Sequence, residues 1–290
     1  MEWIAFSVLA AFSQAWRNAL QSKLSQHASV AAVTLSRFLL ASPIAGIYLL
    51  GLYYWQPAPS LSLSAPFLSY IVAASVIQII ATGLMVLLFK QSNYAIGAGL
   101  AKSEALVAAI LGMLFFGSTL SYLGWFGVAL GSIAVLLLSG FSLKNFNLTT
   151  ALLGLCCGTA FALTSLWVRE ASLISGLPFP HSAGWVLLLV ISIQTLILGA
   201  YLRCKEPHSI TTLWQHRTQV SWISLTSCIG SIGWFSAMSL QHVAYVKTLG
   251  QIEVFFTMAI SVWWLKQPLK TRDSLGLILI ALAACLVMLT

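Results

Sequence analysis

The chain alternates long apolar runs with short polar connections. A bilayer core about 30 Å thick requires about 20 apolar residues in each helix that crosses it, so these runs predict ten membrane-spanning helices. The predicted spans are residues 3–23, 30–52, 67–89, 94–116, 121–139, 148–168, 182–203, 219–240, 243–265 and 272–289. Because the connections are short, neighbouring spans are expected to run antiparallel. The predicted fold class is therefore an all-α integral membrane protein.

Two segments of the chain, residues 94–139 and 243–288, resemble each other at an offset of 149 residues. The aligned pairs are Ala95 with Ala244, Leu100 with Leu249, Glu104 with Glu253, Leu120 with Leu269, and Gly127 with Gly276. Five spans lie in each half, and an odd number of spans reverses the direction in which the second half enters the membrane. We therefore expect two inverted five-helix repeats, residues 1–143 and 144–290, in one membrane domain.

The amino-acid composition strengthens the membrane assignment. Hydrophobic residues make up 59% of the chain and charged residues 7%, against about 25% charged residues in a typical soluble domain. So few charged side chains cannot cover the surface of a soluble protein of 290 residues. The formal net charge of +8 does not indicate nucleic acid as a partner, because most basic residues lie at the ends of apolar runs.

The basic residues are distributed unevenly between the two sides of the predicted bundle. The odd-numbered connections carry Lys23, Lys90, Lys144, Arg203, Lys205, Arg217, Lys266, Lys270 and Arg272. The even-numbered connections and the termini carry almost none, with Arg169 and Lys247 near those ends. Since basic connections face the cytoplasm, both termini are expected outside the cell, or in the periplasm of a Gram-negative cell. The expected location is the inner cell membrane.

The sequence offers no pattern typical of a cofactor, metal or nucleotide site. The cysteines, Cys156, Cys157, Cys204, Cys228 and Cys285, show neither CxxC nor Cys/His spacing, so no zinc site or disulfide framework is expected. The histidines, His27, His181, His208, His216 and His242, lie in or beside connections and do not cluster. No GxxxxGK[ST] motif is present, so ATP hydrolysis by this chain is not expected.

Two acidic residues lie at the predicted centre of the bilayer. Glu104 and Glu253 are each about ten residues into their spans, a depth of about 15 Å at 1.5 Å per residue. Carboxylates at this depth are costly and are usually functional. They are expected either to bind protons or a substrate amine in a central cavity, or to be structural, as caps of broken helices or partners of a cation such as Lys102.

Three basic residues within or beside the spans have different expected roles. Arg17 lies deep in the first span and can hold a substrate carboxylate or neutralise a glutamate. Lys102 is two residues from Glu104 in the same helix, so the two side chains are not expected to face each other. Lys247 lies close enough to a helix end to extend to the membrane interface, and this is its expected position.

Aromatic and amide side chains complete the candidate site. Trp16, Trp167 and Trp234 are expected either to line the cavity, where they can stack on a ring or surround an alkylammonium group, or to pack between helices. Gln78 and Gln251 are polar groups at depth that need a partner. They are expected to line a wet cavity or to form hydrogen bonds between helices.

The whole chain resembles the EamA type of the drug/metabolite transporter superfamily. Ten spans, a five-plus-five repeat and the chain length are shared with that family. Residues 102–105 (KSEA), followed by the small-residue segment 108–117, are similar to the family's pattern in the fourth helix. Residues 16–18 (WRN) and Arg37 are similar to further family positions.

Three features differ from the family pattern. Ala105 stands where many members have proline, and Ser118 and Gln267 stand where members have an acid in the turn. The distribution of basic residues places both termini outside, whereas members are commonly drawn with both termini inside. The turn acids are therefore not carried over as functional residues.

The resemblance implies a carrier of small metabolites, often an exporter of amino acids or related compounds. We therefore expect a secondary transporter that works by alternating access, with a small-molecule substrate, surrounding membrane lipid and a monomeric or homodimeric state. The paired acids favour an amine substrate, and the aromatic residues favour one with an apolar or ring portion. The alternatives are a lipid or lipid-precursor flippase of the same fold and, less favoured, a membrane-embedded enzyme.

Overall fold

The computed structural model describes residues 1–90, 101–138, 148–263 and 271–289. Within these residues all regular secondary structure is helical, and no β-strand is present. The helices are α1 (Glu2–Leu24), α2 (Val30–Phe38), α3 (Ala41–Trp55), α4 (Ala65–Lys90), α5 (Glu104–Phe116), α6 (Tyr122–Leu138), α7 (Leu148–Ile174), α8 (His181–Lys205), α9 (Pro207–Gln215), α10 (Arg217–Leu240), α11 (Val243–Leu249), α12 (Glu253–Trp263) and α13 (Thr271–Met288).

Six segments of the described chain are long and apolar enough to cross a membrane. They are Val30–Trp55, Ala65–Lys90, Leu148–Ile174, His181–Lys205, Arg217–Leu240 and Val243–Ile260. Shorter apolar helices cover Glu104–Phe116, Tyr122–Leu137 and Leu275–Met288. The predicted all-α, membrane-embedded class is thus confirmed, while the number of ten spans stays a prediction.

The second predicted span, residues 30–52, consists of two helices rather than one. Ser29 caps α2, since its hydroxyl accepts a hydrogen bond from the backbone N–H of Ala32 at 3.2 Å. Pro43 lies in the first turn of α3, where its missing N–H is tolerated, but a proline there cannot continue the hydrogen-bond ladder of α2. The chain therefore turns at residues 39 and 40 before it continues across.

The fourth and ninth predicted spans are not helices with an acid near the middle. Glu253 is the first residue of α12, and a turn of 3-10 helix, Gly250–Ile252, separates it from α11. Glu104 is likewise the first residue of α5, while residues 94–100 of that predicted span lie outside the described residues. A carboxylate is favoured at a helix N-terminus, where unpaired N–H groups carry partial positive charge. The expectation of uninterrupted helices is therefore corrected at both acids.

The most extensive packing joins helices that are distant in sequence. α1 packs along α10, α4 along α7, α6 along α13, and α3 along α8. In the α1–α10 contact, small residues allow the two backbones to approach closely. A Cβ atom at Gly233 of α10 would lie 2.7 Å from the carbonyl oxygen of Phe6 and 2.9 Å from the Cβ of Ala10 in α1. The α1–α10 interface therefore depends on glycine at this position.

Gly233→Leu is expected to lower the melting temperature of the protein in detergent, at a cost of about 1–3 kcal/mol from overpacking. The matched control is Gly199→Ala in α8, because a Cβ there meets nothing within 4 Å. A helical glycine replaced by alanine in open space is expected to be neutral or slightly stabilising. Equal melting temperatures for the two variants would contradict the close approach of α1 and α10.

Contacts between connections define the two ends of the helix bundle. At one end, the Lys90 amine donates to the carbonyl of Ala28 at 2.9 Å, and the rings of His27 and His216 stack with centroids 5.4 Å apart. At the other end, the backbone N–H of Ser121 donates to the Tyr245 hydroxyl at 3.0 Å. The C-terminal ends of α1 and α4 and the start of α10 thus lie at one end, where Lys23, Lys90 and Arg217 also lie among the described residues.

Candidate functional site

A polar cavity lies in the interior, between α1, α2, α4, α7, α10 and α11 and the residues around the start of α5. Its charged lining residues are Arg17, Arg37, Lys102, Glu104 and Lys247. Its volume is about 30 Å³, which is room for one or two water molecules. Residues from both halves of the chain therefore meet around a space that is closed to a metabolite in this conformation.

Two ion pairs cross between the halves of the chain at this cavity. The Lys102 amine binds the Glu253 carboxylate, and the Lys247 amine lies 2.7 Å from Oε1 of Glu104. Each lysine precedes a glutamate in sequence, yet each binds the glutamate of the other half. The two helix breaks, at Glu104 and at Glu253, are therefore joined by two reciprocal charge contacts.

The Glu253 carboxylate also accepts hydrogen bonds from α1. The side-chain amide of Gln14 donates to Oε2 at 2.6 Å, and that of Asn18 donates to Oε1 at 2.8 Å. The two donors are one helical turn apart, so both face the same carboxylate. Glu253 is only 3% exposed, and these bonds together with Lys102 satisfy both of its oxygens.

The Glu104 carboxylate and its lysine have their own set of contacts. The Ser165 hydroxyl of α7 donates to Oε1 of Glu104 at 3.2 Å. The Lys247 amine lies 4.4 Å from the centre of the Trp234 ring, a distance suited to a cation–π contact. The Trp234 ring N–H donates to the side-chain carbonyl of Gln14 at 2.9 Å. Trp234 and Gln14 thus connect the surroundings of the two ion pairs.

Two buried arginines line the same cavity without an ion-pair partner among the described residues. Arg17 donates through Nε and Nη2 to the side-chain oxygen of Asn18, at 3.3 and 3.0 Å. Arg37 donates through Nη1 to the Thr82 hydroxyl at 2.9 Å, and its guanidinium carbon lies 5.3 Å from the centre of the Phe38 ring. Neither guanidinium directly contacts a carboxylate in the described chain.

The two glutamines of the predicted site lie in different surroundings. Gln78 lines the cavity, and its side-chain oxygen accepts a hydrogen bond of 2.7 Å from Gln194 of α8. Gln251 is 1% exposed and borders a smaller adjoining space together with Glu104 and Lys247. Neither polar atom of the Gln251 amide has a hydrogen-bond partner among the described residues.

Of the three tryptophans, the structure brings one to the cavity. Trp234 lines it. Trp16 and Trp167 are half-buried and are not among its lining residues; Trp167 instead packs against the hydrophobic core. Helix packing is therefore the role that the position of Trp167 supports.

Lys102 and Lys247 are the residues of the candidate site that sequence reasoning placed least well. Lys247 does not extend to an interface, because its side chain is 10% exposed and bound to Glu104. The expectation that Lys102 does not face Glu104 agrees with its pairing to Glu253. The sequence did contain a signal for ion pairing. One lysine lies close in sequence to each of the two acids, so a counter-charge is available for both carboxylates. No sequence pattern indicated Gln14, because its hydrogen bond to Glu253 depends on which face of α1 points into the bundle.

Comparisons with known proteins give the fold but no function. No protein-family model and no curated protein matches the chain. The crystal structure of another protein has a similar fold. The match covers 98% of this chain and 96% of the other chain, with a TM-score of 0.70 and 12% sequence identity. This chain therefore shares its complete fold with a crystallised protein. At such low identity the likeness shows the fold alone.

Proposed function

We propose that the protein is a secondary transporter of a small metabolite that works by alternating access around the central cavity. The observation that carries this proposal is the pair of crossed ion pairs at the breaks before α5 and α12. Broken helices with charged residues around a site in the membrane interior are the usual construction of such carriers. The resemblance to drug/metabolite transporters supports the same function.

The packing of the helices supports ten spans in two inverted repeats, residues 1–143 and 144–290. If each helix is replaced by its counterpart in the other repeat, α1 becomes α7 and α10 becomes α4. The α1–α10 contact then becomes the α7–α4 contact, and these are the two most extensive helix contacts in the described chain. The α3–α8 and α6–α13 contacts each convert into themselves. A contact pattern that survives this exchange is expected of a two-fold repeat.

The crossed ion pairs suggest how access alternates. With both pairs formed, the helix breaks are held against each other and the cavity admits only water-sized molecules. To open toward one side of the membrane, one of the two ion pairs and its neighbouring contacts must loosen. The equivalent ion pair then keeps the opposite side closed. The energy is expected from solute exchange or an ion gradient. We propose the inner membrane as its location and both termini outside, because the sequence places the basic residues mainly in the odd-numbered connections.

The test is uptake into liposomes that contain the purified protein, preceded by a thermal-shift screen with amines, amino acids, organic anions, nucleosides and vitamins. A bound ligand stabilises the native state by mass action, with about 2.7 kcal/mol at a hundred times its Kd. We expect at least one solute to raise the melting temperature and to be taken up, with both effects weakened in Glu104→Gln and Glu253→Gln. Absence of uptake of every solute under any gradient would contradict transport.

One observation favours the alternative of a lipid flippase. An apolar groove of about 640 Å³ lies between α2, α8, α9 and α10. Its lining includes Leu35, Leu213, Trp214 and Arg217, a combination suited to an acyl chain and a phosphate. Movement of a fluorescent phospholipid between leaflets, faster than in liposomes without protein, would favour this alternative over metabolite transport.

A further inference from the structure

The charges around the central cavity do not balance. Four basic side chains line it, Arg17, Arg37, Lys102 and Lys247. Two carboxylates, of Glu104 and Glu253, lie at or next to it, and each is already paired with a lysine. Within the described part of the chain, the two guanidinium groups therefore remain as two positive charges without a bound carboxylate.

Both guanidinium groups also have unused hydrogen-bond donors. Nη1 of Arg17 and Nε of Arg37 are buried and have no partner in the described chain. Each arginine is only 4% exposed, so bulk water does not satisfy these donors. A buried N–H without a partner costs free energy. Unpaired polar groups that face a cavity call for a partner there, such as a water molecule, an ion or a bound ligand.

The two arginines line the same small cavity. Burial of two like charges around one cavity is unfavourable unless an anion can lie between them. A guanidinium fork matches the geometry of a carboxylate or phosphate and binds it through two parallel hydrogen bonds.

We propose that the transported metabolite carries a net negative charge, and that its carboxylate or phosphate group binds Arg17 and Arg37. This inference rests on the proposed transport function and names the substrate class of the same site. It replaces the leaning toward an amine, because the two carboxylates that suggested an amine already bind lysines. The anion binds after the helices separate, since about 30 Å³ does not hold a metabolite.

The test compares four labelled probes in liposomes: succinate as a carboxylate, glycerol 3-phosphate as a phosphate, alanine as a zwitterion and choline as a cation. We expect uptake of an anion in preference to alanine and choline. Arg17→Gln and Arg37→Gln are each expected to reduce that uptake about tenfold or more, because a hydrogen bond to a charged group is lost. The matched control is Arg203→Gln, which removes an exposed charge at the end of α8 and is expected to leave uptake unchanged.

The melting temperature separates ligand binding from a structural role. Without ligand, Arg37→Gln is expected to melt at the same or a higher temperature than the parent protein, because the burial of a charge without a bound carboxylate is relieved. Stabilisation by the anionic probe is expected to be lost. A lower melting temperature without ligand, together with unchanged anion stabilisation, would show that the arginines hold the structure and would overturn the proposal.

The remaining outcomes distinguish this inference from the proposed function. Uptake of choline or alanine in preference to both anions would confirm transport and overturn the anionic substrate. Anion stabilisation that depends on Arg17 and Arg37, without uptake of any probe, would support the anion site and contradict transport. If neither anion stabilises the protein or enters the liposomes, the anion site is overturned.

Discussion

Glu253→Gln is expected to lower the free energy of unfolding by about 3 kcal/mol, the largest loss of stability from any single isosteric change in this protein. Glutamine keeps the shape of the side chain but leaves Lys102 without its counter-charge. Removal of one partner from a buried ion pair costs about 3–5 kcal/mol. The lower end applies because the Lys102 side chain is still 20% exposed. The measurement is the melting temperature in detergent.

A double variant tests the cause of this loss. Lys102→Met together with Glu253→Gln removes both charges, so that no buried charge is left without its partner. We expect the double variant to be more stable than Glu253→Gln alone. Glu2→Gln, at the exposed start of α1, is the control for loss of a carboxylate and is expected to shift stability by less than about 1 kcal/mol. If the stability changes of Lys102→Met alone and Glu253→Gln alone simply add up to that of the double variant, a direct Lys102–Glu253 contact is contradicted.

Charge reversal in the second ion pair is expected to have the largest effect on transport. Glu104→Lys places a second amine beside Lys247, and Lys247→Glu places a second carboxylate beside Glu104. Two like charges 4 Å apart repel by about 4 kcal/mol at an effective dielectric constant of 20, which corresponds to about a thousandfold change in an equilibrium. Each single reversal is therefore expected to reduce uptake in liposomes by at least about a hundredfold.

Combining the two reversals restores the attraction in the opposite sense. The double variant Glu104→Lys with Lys247→Glu is expected to recover uptake to within about tenfold of the parent protein. Recovery stays incomplete because Ser165 donates to the carboxylate and the Trp234 ring faces the amine, and both contacts change partner. A double variant that folds but stays as inactive as the single variants would contradict a role for the Glu104–Lys247 pair in the transport cycle.

The membrane character of the fold was open to prediction, but the shape of each helix was less so. Hydrophobic length alone predicts spans such as Ala65–Lys90 and His181–Lys205, because every backbone polar group in a bilayer must be bonded within a helix. The breaks before Glu104 and Glu253 were expected only in the structural alternative, in which each acid caps a broken helix. The residues just before the acids, Lys102 and Ser103 in one half and Gly250 and Gln251 in the other, also occur inside helices, so the pattern did not decide between a broken and a continuous helix.

The candidate site was predicted in part. The position of a residue along a predicted span follows from counting residues. Glu104, Glu253 and Arg17 were therefore recognised as charged residues far from the ends of apolar spans. Which residues face each other depends on the rotation of every helix about its axis, and that rotation is fixed by side-chain packing across the interface. For this reason Trp234 lines the cavity whereas Trp16 and Trp167 do not.

The sequence by itself determined that this chain is a membrane protein with two deep acids at equivalent positions of two similar segments. Only the tertiary structure decided that Lys102 binds Glu253 and Lys247 binds Glu104, which leaves Arg17 and Arg37 without a bound carboxylate in the described chain. Burial in a bilayer depends on the length and polarity of a segment, which are local properties. The partner of a charge depends on which side chains the folded helices bring within hydrogen-bond distance, and no local pattern contains that information.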